Sequence, residues 1–123
     1  MKEFHHHKFC PIRDILSRIG SKWSMLVLVT LDANGTMRFN EIQKSIGDIS
    51  QRMLTLTVRT LEADGLIKRN VYPEVPPRVE YALTDRGHSL MPLLKELVRW
   101  ALDNQEQILE ERANLDAQEE VQG

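Results

Sequence analysis

Cysteine is nearly missing from these 123 residues, with Cys10 standing alone. A single thiol excludes an intramolecular disulfide and a four-cysteine zinc site, so the fold has to stand on packing. Long hydrophobic runs are missing too: the longest, residues 25–29, is far short of the roughly 20 residues that span a bilayer. The N-terminus lacks the charged-then-apolar order of a signal peptide, and the sequence therefore predicts a cytoplasmic protein without membrane contact. His88, Cys10 and the carboxylates form no recognisable nucleophile or metal constellation, so neither catalysis nor a cofactor is expected. His5, His6 and His7 lie beside Cys10, but adjacent histidines on an aperiodic arm lack the spacing that converges on one metal ion.

What is present suits one modest globular domain, with 41% hydrophobic and 28% charged residues. The net charge of −2 is unevenly spread. Residues 101–123 hold seven carboxylates against Arg112 alone, a balance of −6, which leaves +4 for residues 1–100. The body of the chain can thus carry a positive face while the tail is acidic.

The chain divides into a flexible arm at residues 1–9, a body at 10–103, and an acidic helical extension at 104–123 that frays after Leu109 into a disordered tail. Pro11 opens a short amphipathic helix with Ile12, Ile15, Leu16 and Ile19 on one face, and Gly20 ends it. Ser21 caps a second helix that is apolar almost all round, with Trp23 as a packing anchor. Asn34-Gly35 marks a turn, residues 36–39 a short strand, and Asn40 the cap of a third helix with Phe39, Ile42 and Ile46 as its buried positions.

Residues 50–65, SQRMLTLTVRTLEADG, form the stretch on which the rest turns. Ser50 caps the helix, Gly65 stops it, and Leu54, Val58 and Leu61 make its buried stripe. The opposite face carries Gln51, Arg52, Thr55 and Arg59 without a carboxylate. With the preceding helix and the tight turn at Gly47, this is a helix-turn-helix. Residues 66–72 and 79–83 then read as strands around the proline-rich loop PEVPPR, and a hairpin in that place is a wing. The fold class is therefore α+β, mostly α: a winged helix-turn-helix with a two-stranded hairpin wing and flanking helices, to which the resemblance given below adds a dimerisation role. The last helix begins at Thr84 and Asp85, carries a wide apolar stripe from Leu90 to Leu102, and should kink or restart near Pro92. An apolar stripe of that width calls for a second subunit.

Ser50, Gln51, Arg52, Thr55 and Arg59 are the candidates for reading a major groove. Arg52 or Arg59 suits guanine and Gln51 adenine, and the hydroxyls suit bases or phosphates. Lys68, Arg69 and Arg78 lie on the hairpin strands or near its tip, where basic groups can reach phosphates beside the groove; Lys44, Lys68 and Arg78 are the better candidates for phosphate contacts, and Arg38 completes the candidate DNA-binding set. Salt bridges from the wing cations to Glu74 or Glu80 are the competing explanation.

The chain resembles the HxlR family of bacterial transcriptional regulators, a winged-helix group related to the MarR regulators. The resemblance is carried by Cys10-Pro11, Ile19-Gly20-Ser21-Lys22-Trp23, Arg38-Phe39-Asn40-Glu41-Ile42, ISQRMLT at 49–55, LEADGLI at 61–67, YPEVPPRVEY at 72–81 and Leu83-Thr84. It implies a homodimer joined through the first and last helices, double-stranded operator DNA of two-fold symmetry as partner, and no catalytic activity. It also implies that Cys10 stands where several members carry a redox- or electrophile-sensing thiol. The alternatives are a regulator responding to a small-molecule effector or to none, and a winged-helix protein interaction module.

Overall fold

The computed structural model describes residues 11–122. Cys10, the arm at residues 1–9 and its three histidines lie outside the described residues. The elements run α1 (Pro11–Ile19), α2 (Lys22–Asn34), β1 (Met37–Arg38), α3 (Phe39–Ile46), α4 (Gln51–Ala63), β2 (Ile67–Tyr72), β3 (Arg78–Leu83) and α5 (Asp85–Gln122). Two compact units result, one through Met91 and one from Pro92 onward.

In the first unit α2 packs against α1, α3, α4 and β3. Its Val27, Leu28 and Leu31 are buried, as are Ile42 of α3, Leu54, Val58 and Leu61 of α4, and Ile67 of β2, which together make up much of the core. The helix is less uniformly buried than its composition predicts. Leu26 is exposed and Trp23 only half-buried, with the Lys22 ammonium 4.2 Å from the centre of the Trp23 ring. The cap of α2 is as expected: the Ser21 hydroxyl accepts the Ser24 N–H at 3.1 Å. Ser21→Ala should therefore lower stability by about 1 kcal/mol, read as a fall in urea midpoint at constant slope.

The short strand pairs more widely than the sequence suggests. β1 lies antiparallel to β3, with Met37 opposite Tyr81 and Arg38 opposite Glu80, so the sheet has three strands in the order β1-β3-β2. The start of α3 needs a correction. Arg38, and not Asn40, occupies the cap position, and its backbone N–H is satisfied by the Glu41 carboxylate at 2.8 Å. The reciprocal reach of Glu41 lets the helix begin directly after the strand. Gly47 ends α3 at φ +94°, and its N–H donates to the Gln43 carbonyl at 2.9 Å.

α1 is tied down by charge and leaves its apolar side open. Arg18 Nε donates to Asp64 Oδ2 at 2.8 Å, while Ile12, Ile15 and Leu16 are 37–53% exposed.

The second unit is helical throughout. α5 continues through Pro92 without a separate first turn and is still helical at Gln122, past the point where the sequence predicts loss of order. No glycine or proline interrupts residues 93–122, and alanine, leucine, glutamate and glutamine dominate, all strong helix formers. Within this unit Leu93, Leu97, Val98, Trp100 and Leu102 are exposed.

Candidate nucleic-acid interface

The fold divides α4 into three faces at the helical period. Leu54, Thr57, Val58 and Leu61 are buried. Arg52, Leu56 and Arg59 form the outermost strip, with Leu56 49% exposed. Gln51, Thr55 and Glu62 flank that strip toward the wing, and Met53 and Thr60 flank it on the other side. The outer face is thus less purely polar than the sequence suggests, and an apolar Leu56 stands between its two arginines.

Local hydrogen bonds fix the hydroxyls of this helix. The Ser50 hydroxyl accepts the Met53 N–H at 3.0 Å, which closes the first turn. Thr55 Oγ1 donates to the Gln51 carbonyl at 2.8 Å, leaving its lone pairs outward as acceptors. Arg52 and Arg59 form no ion pair among the described residues. At the far end Gly65, at φ +73°, turns the chain into β2, and the Leu66 N–H closes on the Leu61 carbonyl at 2.9 Å.

The strand register decides which wing residues join this face. Ile67 pairs with Leu83, Arg69 with Tyr81, and Val71 with Val79. Ile67, Tyr81 and Leu83 are buried, so the 67-69-71 side of the hairpin faces α4 and the 68-70-72 side faces away. Arg69, which the sequence groups with Lys68 and Arg78 as able to reach phosphates but ranks below them, stands beside the helix. Lys68, a chosen candidate, leaves from the opposite face, as does Arg38, which pairs in register with Glu80. The signal that separates Lys68 from Arg69 is the two-residue alternation set by Tyr81 and Leu83.

Arg78 is engaged locally. Its guanidinium lies 3.5 Å from Glu74 and 3.2 Å from Glu80, and 4.2 Å from the centre of the Tyr72 ring. The competing salt-bridge explanation describes its surroundings, and its charge is already largely balanced. Lys44 is exposed near the end of α3 and belongs to neither group.

A cleft of about 400 Å³ lies where helix and wing meet, lined by Gln51, Thr55, Arg59 and Glu62 of α4, Arg69 of β2 and Tyr81 of β3, with Phe39, Val58 and Val79 as its apolar walls. Burial pushes the Tyr81 hydroxyl above its ordinary pKa; Glu62 reinforces the shift, and Arg69 and Arg59 oppose it. Tyr81 therefore remains a neutral hydrogen-bond donor at physiological pH. Among the described residues no group of three or more His, Cys, Asp or Glu side chains is arranged to hold a metal ion, and no helix is long and apolar enough to cross a membrane.

The chain is similar in sequence and fold to known proteins. The profile of the HxlR-like helix-turn-helix family matches residues 18–109. An HTH-type transcriptional regulator of Methanothermobacter thermautotrophicus is 54% identical over 91 residues, which cover 74% of this chain and 69% of the relative. Among solved structures, the putative transcriptional regulator ytfH from Salmonella typhimurium matches with a TM-score of 0.78 and 37% identity, covering 87% of this chain and 95% of that one. The redox regulator HypR in its reduced form matches with a TM-score of 0.74 and 40% identity, covering 81% and 98%. Its oxidised form matches at 0.69. The helix-turn-helix of α3 and α4, the hairpin wing and these relatives together place the chain in the HxlR-like family of winged helix-turn-helix transcriptional regulators.

Proposed function

We propose that this regulator binds duplex operator DNA sequence-specifically as a homodimer in the cytoplasm, with α4 in the major groove and the β2–β3 hairpin beside it. The observation that carries the reading is the outer strip of α4, where Arg52 and Arg59 are exposed and form no ion pair among the described residues. Gln51 and Thr55 flank them, and Leu56 offers an apolar contact of the kind a thymine methyl accepts. Ser50 contributes as the cap of the helix: its hydroxyl takes the Met53 N–H, and the Gln51 and Arg52 N–H groups of the first turn are left for a phosphate. Lys44, Lys68 and Arg38 are outlying phosphate contacts, and Arg78 is a weaker one because of its carboxylate neighbours.

Two separate apolar surfaces support a dimer. α1 exposes Ile12, Ile15 and Leu16, and the second unit exposes Leu93, Leu97, Val98, Trp100 and Leu102. Each is larger than scattered surface residues require, and a second copy covers both under two-fold symmetry. The reading is of a binding protein, with no catalytic step.

A redox response is the second layer, supported by the likeness to HypR, whose structures are described as a redox regulator in reduced and oxidised forms. Cys10 is the only thiol of the chain. Oxidation by a two-electron acceptor such as diamide would join Cys10 residues of two subunits or add a small thiol, and alkylation would cap it. Either change next to α1 would alter the spacing of the two reading helices.

Selection of bound duplexes from a random pool, with reduced and with diamide-treated protein, tests the whole reading. The expected result is a two-fold symmetric site whose capture changes on treatment only when Cys10 is present. Selection without sequence preference would favour a protein interaction module instead. A specific site indifferent to treatment would remove the thiol and leave a small-molecule effector or none.

A further inference from the structure

We propose that the cleft between α4 and the wing is an oxyanion seat that takes one backbone phosphate of the bound duplex, held by Arg69 and the Tyr81 hydroxyl, with Arg59 at its edge. The inference rests on the DNA-binding reading and assigns a contact that it leaves open. Four observations lead to it. Arg69 and Tyr81 are directly opposed in the hairpin register, so their side chains leave the sheet on the same face. That face meets α4, and both residues line the cleft with Arg59. Neither Arg59 nor Arg69 forms an ion pair among the described residues. Tyr81 is only 7% exposed, and its hydroxyl makes no hydrogen bond to another group among the described residues.

Charge and shape favour this occupant. Glu62 also lines the cleft, so two guanidiniums face one carboxylate and the balance stays positive. Gln51 and Thr55 on the same wall supply neutral hydrogen-bonding groups, and Phe39, Val58 and Val79 offer an apolar floor for the adjoining sugar. The cleft flanks the strip of α4 that carries the reading residues, which is where a groove's bordering strand has to pass. A phosphate seated there would lock the wing to the reading helix and fix the depth at which α4 enters.

The test uses the full-length protein and its selected operator, in which single backbone phosphates are replaced one at a time by neutral methylphosphonates. One replacement per half-site should weaken wild-type binding about tenfold and have no further effect on Arg69→Gln. The Arg69→Gln protein should bind about tenfold more weakly with unchanged base preference, and its slope of log K against log salt should be shallower by about one. Arg69→Lys should recover most of the slope, and equal melting temperatures exclude a folding defect. An Arg69→Gln protein with wild-type affinity and slope overturns the seat while the DNA-binding reading stands. Wild-type protein that binds no duplex overturns both. A blank methylphosphonate scan, together with Arg69-dependent binding of inorganic phosphate to the DNA-free protein, assigns the cleft to a free anion and overturns the backbone-phosphate assignment.

Discussion

Gly87→Ala should destabilise the protein by about 3 kcal/mol, although the same change at an open helical site would stabilise it by roughly 1 kcal/mol. Gly87 is buried in the first turn of α5, and a methyl group there would stand well inside contact distance of the Leu66 carbonyl oxygen and 3.2 Å from Leu83 Cδ2. Neither neighbour can retreat freely. The Leu66 carbonyl accepts the Thr84 N–H at 3.0 Å, and Thr84 Oγ1 donates to the Gly65 carbonyl at 2.6 Å while accepting the Gly87 N–H at 3.1 Å. Arg86 adds a bond to the Asp64 carbonyl at 3.0 Å. The end of α4, the start of β2, the end of β3 and the start of α5 therefore meet at one knot, and displacing α5 breaks several of its bonds together. Thermal and urea unfolding should show a fall of roughly 10 °C or more and a lower midpoint. A rise in either would mean that the first turn of α5 can move away at little cost.

How much of this was legible in the sequence follows from the range of the interactions. The caps at Ser21 and Ser50, the tight turn at Gly47, the left-handed stop at Gly65 and the Leu54-Val58-Leu61 stripe are set by residues within one or two turns of each other, and the structure has them where the pattern puts them. The hairpin is legible for the same reason, since alternation and three prolines are local signals. The role of Gly87 is not, because the atoms that forbid a side chain there belong to Leu66 and Leu83. The third strand is two residues long, and only its pairing with Tyr81 and Glu80 makes it a strand. Lys68 and Arg69 are chemically alike and adjacent, and choosing between them requires knowing which side of the hairpin α4 covers. The exposure of Leu56 was hidden by its type: leucine in a helix reads as core, yet its place on the wheel falls between Arg52 and Arg59. Helicity out to Gln122 is hidden in the sequence by the polarity of the tail, whose residues nevertheless have high helix propensity.

Arg59→Ala should weaken operator binding by about 1–3 kcal/mol, roughly 5- to 150-fold, while leaving the melting temperature where it is. The two halves of this expectation have one origin. Arg59 is exposed on the outer strip of α4 and forms no ion pair among the described residues, so its truncation removes nothing the folded chain depends on, and alanine is the better helix former. Its guanidinium is instead free for a fork-shaped contact, which distinguishes Arg59 from Arg78 with its two carboxylates. The pattern of loss identifies the contact. Reading of a guanine predicts relaxed preference at one base pair of each half-site, with the other positions unchanged. A phosphate contact predicts uniform weakening and a salt slope shallower by about one, as for Arg69. Arg59→Lys separates the two again, because it keeps the charge and loses the fork. Affinity that stays intact at fixed salt would mean that α4 does not present this strip to the groove. Arg52→Ala then becomes the deciding comparison: Arg52 lies one turn earlier on the same strip, and a loss confined to it would place only the N-terminal end of α4 against the bases.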